Sequence, residues 1–288
     1  MKVLVTGGRG FIGTNLVKKL NEKYSVSVMD YVDGAGGDIR NYKNVEKIAE
    51  CCKYIFHLAA ISNIFDVQGN PAMSSEINIG GTVNVLEAAK KTGAKVIFIS
   101  SAAVYGKQES KILVEQLQPN PINLYGMQKY FGERYCKMLY DLHGVESVCL
   151  RFFNIFGPGQ TNGSILYNFL RAKYGNMPMK INGKGDQIRS YVYIDDAIDA
   201  TIRAAESDVK EADAINIGTE KTHTVFEVAR LIGGEIEFGP PVEGDIISSI
   251  PDITKANRLL NWKPKISFEE GLQKTDEFMK NSSGVNAH

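Results

Sequence analysis

The sequence predicts an α/β fold in which a doubly wound parallel sheet is followed by a smaller mixed α/β C-terminal domain. Short β-branched runs alternate with helix-length segments through the first half of the chain, as in parallel sheets whose strands are joined by helices. A glycine-rich turn, Gly7 to Gly13, joins the first strand to the first helix, and Asp30 closes the second strand. Because the alternation lapses later, we expect one domain over residues 1–153, with later contributions from about 189–218, and a second over most of 154–288.

Composition narrows the class of protein. The chain has 288 residues, a formal net charge of zero and 43% hydrophobic residues, which gives no reason to expect a nucleic-acid partner. No apolar run approaches the roughly 20 residues of a membrane span, and the immediate entry into a strand predicts no signal peptide. The four cysteines lack the spacing of metal ligands or of a secreted disulfide framework. We therefore expect free thiols in a reducing cytoplasm, no membrane partner and no metal site.

The first strand, Lys2 to Thr6, stops at a glycine turn that is typical of nucleotide-binding βαβ units. In such a turn one glycine makes the tight bend, one lets the backbone approach a pyrophosphate, and Gly13 lets the helix pack close to the strand. The helix start then offers unpaired N–H groups and a positive dipole to phosphates. The alternative is an ordinary tight connection between a strand and a helix.

Asp30 makes the nucleotide interpretation more specific. It follows the second strand, Ser25 to Met29, about twenty residues after the glycine turn. A carboxylate at this point accepts hydrogen bonds from both ribose hydroxyls of NAD and repels the additional phosphate of NADP. The alternative is a turn residue at a strand end. The glycine turn and Asp30 together predict a Rossmann-type domain that binds NAD.

Two further strands end at the same edge of the sheet. Tyr54 to Leu58 is followed by Ala59-Ala60, whose small side chains leave room for a flat ligand or pack closely. Val96 to Ser100 is followed by Ser101. Ligands bind beyond the carboxyl ends of parallel strands, so we expect these residues to converge with Asp30.

A tyrosine and a lysine, Tyr125 and Lys129, lie four residues apart on a predicted helix and therefore share one face. A free tyrosine has a pKa of about 10, and a nearby ammonium group is expected to lower it. The pair is a candidate general base, with Lys129 also able to bind ribose hydroxyls. The alternative is ordinary helix surface. We expect this helix to begin after Asn120-Pro121 and to run from about Ile122 to Leu142.

The remaining elements are predicted from local patterns. Before the tyrosine helix, a long helix is expected from Asn70-Pro71 to about Thr92, closed by Gly93. The later predicted strands are Ser147–Arg151, Met179–Asn182, Arg189–Ile194 and Ala214–Ile217, the last in the main sheet. The later predicted helices are 164–174, a segment capped by Asp195-Asp196 and ending near Glu206, and one opened by a capping box from Thr224 to Glu227. Residues 281–288 are expected to fray.

Taken together, the motifs resemble the extended short-chain dehydrogenase/reductase family, specifically its NAD-dependent sugar-nucleotide epimerases and dehydratases. The resemblance covers nearly the whole chain and its motifs are specific as an ordered set. They are TGGRGFIG at the start, GDIR from Gly37, HLAA from His57, NIGGT from Asn78, SSAAVYG from Ser100, YGMQK from Tyr125, RFFNIFGPGQ from Arg151 and IRSYVYIDDA from Ile188.

The resemblance implies a role for each matching residue. It implies that the pyrophosphate is held by Gly7, Gly10, Phe11, Ile12 and Gly13. The other implied cofactor contacts are Asp30, Asp38, Ile39, Leu58, Ala59, Ala60, Ser62, Asn78, Ser100, Tyr125, Lys129 and Phe153. The implied catalytic residues are Ser101, Tyr125 and Lys129. The implied contacts with the substrate, a nucleotide sugar, are Ser101, Tyr125, Asn154 and Arg189.

Within the family, the segment after the fourth strand discriminates between reactions. Dehydratases resemble one another in an Asp-Glu pair after the catalytic hydroxyl residue, and decarboxylases keep a glutamate there, whereas this chain has Ala102-Ala103. The resemblance therefore favours a 4-epimerase, with UDP-glucose and UDP-galactose as the expected substrates. The alternatives are a 4-keto sugar-nucleotide reductase, which Asp30 disfavours, and a non-catalytic NAD-binding protein.

Three departures from the family pattern concern the substrate side. Val242 occupies the position where the family usually has an arginine that binds the diphosphate. Ser190 replaces the usual aspartate, and Asn261 replaces the usual glycine. The loss of that arginine leaves Arg189 as the main expected cation, unless Arg189 pairs with Asp195 or Asp196 instead.

Two long helices predict a homodimer. Each carries apolar residues beyond a single stripe, and a helix that is apolar on more than one face needs a second partner. The residues concerned are Val83, Val85 and Leu86 on the first helix, and Phe131, Tyr135 and Leu139 on the second. The resemblance also implies pairing of these two helices between subunits.

Overall fold

The computed structural model describes residues 1–161, 163–242 and 246–282. The strands of this part of the chain are β1 (Lys2–Thr6), β2 (Ser25–Met29), β3 (Cys52–His57), β4 (Lys95–Ser101), β5 (Ile112–Leu113), β6 (Ser147–Phe152), β7 (Asn154–Phe156), β8 (Met179–Asn182), β9 (Ile188–Tyr193), β10 (Glu211–Ile217), β11 (Thr222–Thr224), β12 (Ile236–Gly239) and β13 (Ser248–Pro251). The helices are α1 (Phe11–Leu20), α2 (Tyr42–Ala49), α3 (Ile64–Gly69), α4 (Pro71–Ser75), α5 (Thr82–Thr92), α6 (Leu124–His143), α7 (Ile165–Tyr174), α8 (Ile194–Glu206), α9 (Val225–Ile232), α10 (Thr254–Leu260) and α11 (Phe268–Ser282).

The main sheet has six parallel strands in the order β2-β1-β3-β4-β6-β10. The chain builds outward from β1 in both directions, so the strand order reverses between β1 and β3. The predicted doubly wound parallel sheet is confirmed, and the late strand joins it as β10 beside β6. Ligand sites in such sheets lie beyond the carboxyl ends of the strands at the reversal.

Both faces of the sheet are buried, and alternate residues of β1 serve the two faces. Leu4 packs with α2, α5 and α6, through residues such as Val45, Leu86 and Cys136. Val3 and Val5 belong to a second apolar cluster that includes side chains of α1 and α8 and continues into the C-terminal region. The C-terminal members include Phe169, Trp262 and Phe268. The sheet and the C-terminal region therefore share one apolar core.

Two small sheets lie in the C-terminal region, and the first of them also includes β5 from the N-terminal half of the chain. One has the order β11-β9-β13-β5, with β7 added beside β9, and the other pairs β12 with β8. In the first, Asn154 lies opposite Tyr191. Through β7, which begins two residues after β6 ends, the main sheet is connected directly to this smaller one.

Three predicted helices differ in detail from the structure. The helix predicted to be capped by Asp195-Asp196 begins at Ile194, so these two residues lie in its first turn. The helix over residues 71–92 contains a π-helical turn, Glu76–Gly81, between α4 and α5. The tyrosine helix begins at Leu124, because the Asn123 side chain accepts a hydrogen bond from the Gly126 N–H at 2.8 Å. Asn120-Pro121 is instead part of an extended segment whose Asn120 N–H bonds to the Tyr105 carbonyl.

The ends of the helices largely follow the local signals. Gly93 and Gly144 close α5 and α6 in the left-handed conformation, with φ of 73° and 69°. The predicted capping box is present, with Thr224 and Glu227 each bonded to the other's backbone N–H. At the C-terminus, Asn281 and Ser282 belong to α11, and the rest of the predicted frayed tail lies outside the described residues. Over the described ranges, no helix is both long and apolar enough to cross a membrane.

Candidate active site

The glycine turn forms an open cradle at the N-terminus of α1. Gly7 has φ of 71°, and a Cβ atom there would lie 2.7 Å from the Ala59 nitrogen. A Cβ atom on Gly13 would lie 2.1 Å from the Gly7 carbonyl oxygen, so only glycine allows α1 to pack this closely. A Cβ atom on Gly10 would meet only the Gly7 oxygen, at 3.5 Å, and would otherwise fill the open face of the turn. Gly10 caps α1 without a side-chain bond, which leaves N–H groups for an anion.

Asp30 lies beside this cradle at the end of β2. Its carboxylate accepts hydrogen bonds from the N–H groups of Arg9, at 2.8 Å, and Val32, at 3.3 Å. The Arg9 guanidinium pairs with Asp33 at 3.3 Å. The carboxylate is therefore held next to the glycine turn, where the sequence predicts it.

Asp38 and Ile39 border the same end of the sheet. The Arg40 guanidinium bonds to Asp38 at 2.6 Å and lowers the pKa of that carboxyl group. Ile39 is buried and packs against Gly81, where a Cβ atom would lie 2.3 Å from Ile39 Cδ1. The side chain of Ile39 therefore packs against the π-helical turn, Glu76–Gly81, at the end of the predicted cofactor site where the adenosine is expected.

The segment after β3 contains Leu58, Ala59, Ala60 and Ser62, of which the first three are half-buried and Ser62 is exposed. Asn78 pins this segment, because its amide accepts from the Ile61 N–H at 2.8 Å and donates to the Ile61 carbonyl at 2.9 Å. The amide of Asn78 is therefore used to hold backbone.

A buried chain of hydrogen bonds lies beneath this segment. The Ala59 N–H donates to Thr6 Oγ1, which is 2.8 Å from His57 Nδ1, and His57 Nε2 is 2.9 Å from Thr82 Oγ1. Thr82 Oγ1 in turn donates to the Asn78 carbonyl, so the consistent assignment places the proton of His57 on Nε2. Burial, assisted by the charge of Lys129, lowers the pKa of His57 to about 3. His57 is therefore neutral and structural.

The three predicted catalytic residues come together at the carboxyl end of β4. Ser101 Oγ accepts from the Ala103 N–H at 3.1 Å, and the Ser101 side chain is close enough to Tyr125 to act on the pKa of its hydroxyl. Lys129 is buried, and its Nζ donates to the Ile99 carbonyl at 2.7 Å. The ammonium lies 5.9 Å from the centre of the Tyr125 ring. The site thus brings together a phenol that can carry a proton, Tyr125, a hydroxyl group that can donate a hydrogen bond, Ser101, and a cation, Lys129.

The pKa values at this site differ from the expected effect of lysine on tyrosine. Burial raises the pKa of Tyr125 to about 12, and the neighbouring Ser101 side chain acts to lower it. Burial lowers the pKa of Lys129 to about 8, while Glu133 acts to raise it. The expectation that Lys129 would lower the pKa of Tyr125 is wrong for this structure, because burial raises that pKa and the group that acts to lower it is Ser101.

Ser100 belongs to a different network. Its hydroxyl donates to Glu133 Oε1 at 2.6 Å, and Glu133 is bonded to the Arg151 guanidinium through both carboxylate oxygens at 2.9 and 2.7 Å. All three residues are buried. Ser100 therefore fixes α6 to the sheet through Glu133.

A cavity of about 770 Å³ lies in the C-terminal region and is lined by both predicted diphosphate contacts, Asn154 and Arg189. Asn154 donates to the Ser190 carbonyl at 2.8 Å, and Arg189 donates to the carbonyls of Ile188 and Ile246 at 3.0 and 2.6 Å. Two further cations, Arg171 and Lys180, line it, and its described lining contains no acidic residue. The cavity therefore favours an anionic ligand.

The cavity is adjacent to the catalytic residues but does not include them. Ser101 pairs with Phe152 across β4 and β6, and the chain reaches the cavity two residues later at Asn154. Phe153, between them, is buried against Tyr105, and its N–H donates to the Ile217 carbonyl at 3.1 Å. The sheet edge thus places the predicted catalytic residues beside a cavity that is lined by basic side chains.

Several site residues could not be singled out from the sequence. Arg171 has the ordinary position of a basic residue in the last turn of a helix. Tyr191 is 4% exposed, its hydroxyl has no hydrogen-bond partner in the described structure, and it lines the cavity. Gln128 is buried between Tyr125 and Lys129 in the sequence and bonds to Asn78. For all three, the useful signal is three-dimensional.

The structure also accounts for two of the departures from the family pattern. Ser190 is buried, and its Oγ accepts from the Thr219 N–H at 2.8 Å. Asn261 closes α10 in the left-handed conformation with φ of 49°, which asparagine tolerates better than most residues. Val242 is exposed, while Glu243, Gly244 and Asp245 lie outside the described residues.

Comparisons with known proteins agree with this site. The chain is 34% identical to the putative UDP-glucose 4-epimerase of Methanocaldococcus jannaschii, over 98% of this chain and 99% of that protein. It is 30% identical to UDP-glucuronic acid decarboxylase 1 of Xenopus tropicalis, over 97% and 72% of the two chains. The structure of UDP-glucose 4-epimerase from Thermotoga maritima with UDP-glucose is similar with a TM-score of 0.92 and 33% identity, over 98% and 99% of the two chains.

The family match extends over the sheet and the predicted catalytic residues. Residues 3–218 match the description "NAD dependent epimerase/dehydratase family", which is 216 of the 288 residues. The chain therefore belongs to the NAD dependent epimerase/dehydratase family, and the prediction of NAD as its cofactor is confirmed.

Proposed function

We propose that this protein is a 4-epimerase of a nucleotide-linked hexose, with UDP-glucose and UDP-galactose as its substrates. The observation that carries the proposal is the grouping of Ser101, Tyr125 and Lys129, whose ammonium lies 5.9 Å from the centre of the tyrosine ring, with only Ala102 and Ala103 at the start of the turn that follows Ser101. Neither alanine can move a proton, so the site suits oxidation and re-reduction at one carbon better than elimination of water. The relatives named UDP-glucose 4-epimerase support the choice of substrate.

The cradle between Gly7 and Gly13 and the carboxylate of Asp30 would hold NAD. When bound, NAD supplies the group that takes up a hydride and returns it. Tyr125 exchanges a proton with the oxygen at the sugar 4-position, and Ser101 hydrogen-bonds to that oxygen. Since its pKa of about 12 keeps Tyr125 protonated at neutral pH, the structure is poised to donate the proton that the re-reduction needs. In the oxidation step Tyr125 accepts the proton as a phenolate, and the ammonium of Lys129, 5.9 Å from the centre of the tyrosine ring, would stabilise that negative charge.

The cavity beside this site would hold the nucleotide diphosphate. Arg189 reaches it from β9, Arg171 from α7 and Lys180 from β8. Charge-assisted bonds to a diphosphate from any of these cations compensate for the absence of an arginine at position 242. Asn154 would add an amide to the same grip.

An incubation with UDP-galactose under anaerobic conditions and without added reduced cofactor tests the function. Formation of UDP-glucose, abolished by Tyr125→Phe, is the expected result. A strict requirement for added reduced cofactor would identify a reductase, and release of carbon dioxide from UDP-glucuronate would identify a decarboxylase. Binding of NAD with no conversion would favour a non-catalytic protein.

The same proposal includes a homodimer formed through α6 and the helix over 71–92. Val85, Leu86 and Leu139 face the core, whereas Val83, Phe131 and Tyr135 are only half-buried. The rings of Phe131 and Tyr135 stack with centroids 5.5 Å apart. They continue a stripe along α6 whose exposed members are Met127, Met138 and Leu142. A second copy of the chain would cover this stripe.

Light scattering at micromolar concentration should give the mass of a dimer. The double change Phe131→Lys and Met138→Lys is expected to give a monomer, because two ammonium groups would have to be buried at the interface. Leu231→Lys, at an exposed position on α9, is the control that should leave the dimer intact. A monomeric mass for the unchanged protein would contradict the proposal.

A cytoplasmic location is part of the proposal as well. Its support is chemical, since Cys51, Cys52, Cys136 and Cys149 are all free thiols, which a reducing compartment preserves.

A further inference from the structure

Gln128 is the side chain of α6 that connects the catalytic helix to the cofactor side of the site. It is 4% exposed, and its Oε1 accepts from Asn78 Nδ2 at 2.7 Å. Its Nε2 donates to Ser74 Oγ at 3.0 Å and to Ser75 Oγ at 3.4 Å. Within the described part of the chain, no other side chain of α6 hydrogen-bonds to the helix over 71–92.

The partner of Gln128 is Asn78, and both N–H groups and the oxygen of its side chain take part in hydrogen bonds. One N–H of Asn78 goes to Gln128 and the other to the Ile61 carbonyl, while its oxygen accepts from the Ile61 N–H. A continuous path of hydrogen bonds therefore runs from α6 through the π turn to Ile61. Ile61 lies between Ala60 and Ser62, in the segment that the sequence predicts to line the cofactor.

The position of Gln128 on α6 makes this path relevant to the reaction. Tyr125 lies one helical turn before it and Lys129 immediately follows it. A buried, fully satisfied polar network tolerates little displacement, because any broken bond leaves a desolvated polar group. The same contact that ties α6 to Asn78 therefore limits how far Tyr125 can move relative to the segment at Ile61.

We propose that Gln128 is a positioning residue, which sets the distance between the Tyr125 hydroxyl and the bound cofactor through Asn78 and Ile61. The inference rests on the proposed function for its kinetic consequence, but the linkage of Gln128 to Ile61 can be tested without substrate. Displacements of about 1 Å in a reacting pair can change a rate by about a hundredfold.

The test compares Gln128→Met with Leu139→Met. Methionine in place of Gln128 keeps the approximate volume and removes the hydrogen bonds. Leu139 is buried at the far end of α6, so its conservative change controls for general loss of stability. For Gln128→Met we expect kcat with UDP-galactose to fall at least about tenfold. The KM and the Kd for NAD should stay within about threefold, and the control should match the unchanged protein.

Hydrogen exchange of the Ile61 amide gives a readout that needs no activity. Gln128→Met should exchange this amide at least about fivefold faster, because Asn78 is no longer held, and Leu139→Met should not. If Gln128→Met does not fold, the double change Ser74→Ala and Ser75→Ala loosens the other end of Gln128. We expect that variant to change kcat and Ile61 exchange in the same directions.

The outcomes separate this inference from the proposed function. An unchanged protein that converts no UDP-hexose would defeat the proposed function, while the Ile61 exchange would still decide the linkage. Unaltered Ile61 exchange in Gln128→Met overturns the inference, whatever happens to kcat. Faster exchange with kcat preserved within twofold also overturns it, since the linkage would then not position Tyr125.

Discussion

At the scale of single residues, the site contains a buried ammonium group, that of Lys129, although burial disfavours its charged form. Lys129 is 5% exposed, with one hydrogen bond to the Ile99 carbonyl, and burial lowers its pKa to about 8 from an ordinary 10.5. A cation in such a position costs stability, so we expect Lys129 to be present for a function in the site and not for the stability of the fold. Activity and stability should therefore respond in opposite ways to its removal.

Lys129→Met is expected to lose activity and to unfold at a higher temperature at pH 7. The lowered pKa corresponds to a loss of folding stability of roughly 3 kcal/mol, which the substitution removes. The substitution also leaves the Ile99 carbonyl without a hydrogen-bond partner, which costs about 1–3 kcal/mol, so the net gain in stability is on the order of 1 kcal/mol.

The pH dependence follows from the sign of the shift. Below pH 8 both folded and unfolded protein carry the charge, so the full cost of burial is present. Between pH 8 and 10.5 the folded protein loses the proton first, and the cost fades. Thermal unfolding of both proteins from pH 7 to 10 should therefore show the advantage of Lys129→Met shrinking as the pH rises. A constant difference, or a variant that is less stable at pH 7, would contradict this account.

Asp30 should determine the choice between NAD and NADP. We expect NAD to bind at least about tenfold more tightly, because the additional phosphate of NADP would face the carboxylate. Asp30→Ala should narrow the difference when both affinities are measured by calorimetry. Asp33→Ala is the matched control, because Asp33 is an acid in the same loop but pairs with Arg9. Its removal should leave the preference for NAD unchanged. Equal affinities in the unchanged protein would remove Asp30 from the cofactor site.

At the scale of elements, the cations of the cavity come from three separate parts of the fold. Arg171 lies in the last turn of α7, Lys180 on β8 and Arg189 on β9. Arg189 also bonds to backbone carbonyls and so has a structural task. Arg171 is exposed and therefore offers the cleaner test of diphosphate binding.

Arg171→Ala should raise the KM for the UDP-sugar about tenfold and leave the affinity for NAD unchanged. A charge-assisted hydrogen bond contributes roughly 1.5–3 kcal/mol, and about 1.4 kcal/mol corresponds to a factor of ten. Lys173→Ala, two residues away on the same helix, is the control, because Lys173 pairs with Asp276 at 3.0 Å and does not line the cavity. Equal effects of the two changes would mean that general charge, and not contact, is responsible.

At the scale of the whole molecule, the two predicted domains share a core. One cluster of buried apolar residues extends from Val3 and Val5 in the sheet to Phe169 and Trp262 in the C-terminal region. The indole N–H of Trp262 donates to the carbonyl of Asp196, at the start of α8, at 2.9 Å. A core that is continuous across both regions predicts that neither unfolds by itself.

Calorimetry should therefore show a single cooperative unfolding transition in which the van't Hoff and calorimetric enthalpies agree. Phe169→Ala is expected to lower stability by about 3–5 kcal/mol, because a buried ring is lost from the C-terminal side of the core. Probes in β1 and in β8 should shift by the same amount in this variant. Two transitions, or a shift confined to β8, would show that the regions unfold independently.

Local patterns in the sequence determined the elements and the edge at which they meet. The bounds of β1, β2 and β8 and the caps at Gly93 and Thr224 were predictable because strand alternation, left-handed glycine and capping boxes depend on residues close in sequence. The convergence of Asp30, Ala59 and Ser101 also followed, because parallel strands bring their carboxyl ends to one edge.

Only the tertiary structure decided what each side chain contacts and how it is charged. Asn123 was preferred to Asn120 as the cap of α6, Gln128 was joined to Asn78, and Arg171 was placed beside Arg189 in a cavity. The pKa of Tyr125 was raised where its spacing from Lys129 suggested a lower value. The physical reason is that desolvation and hydrogen bonding depend on groups brought together from distant parts of the chain, whereas periodicity and spacing record only what is near in sequence.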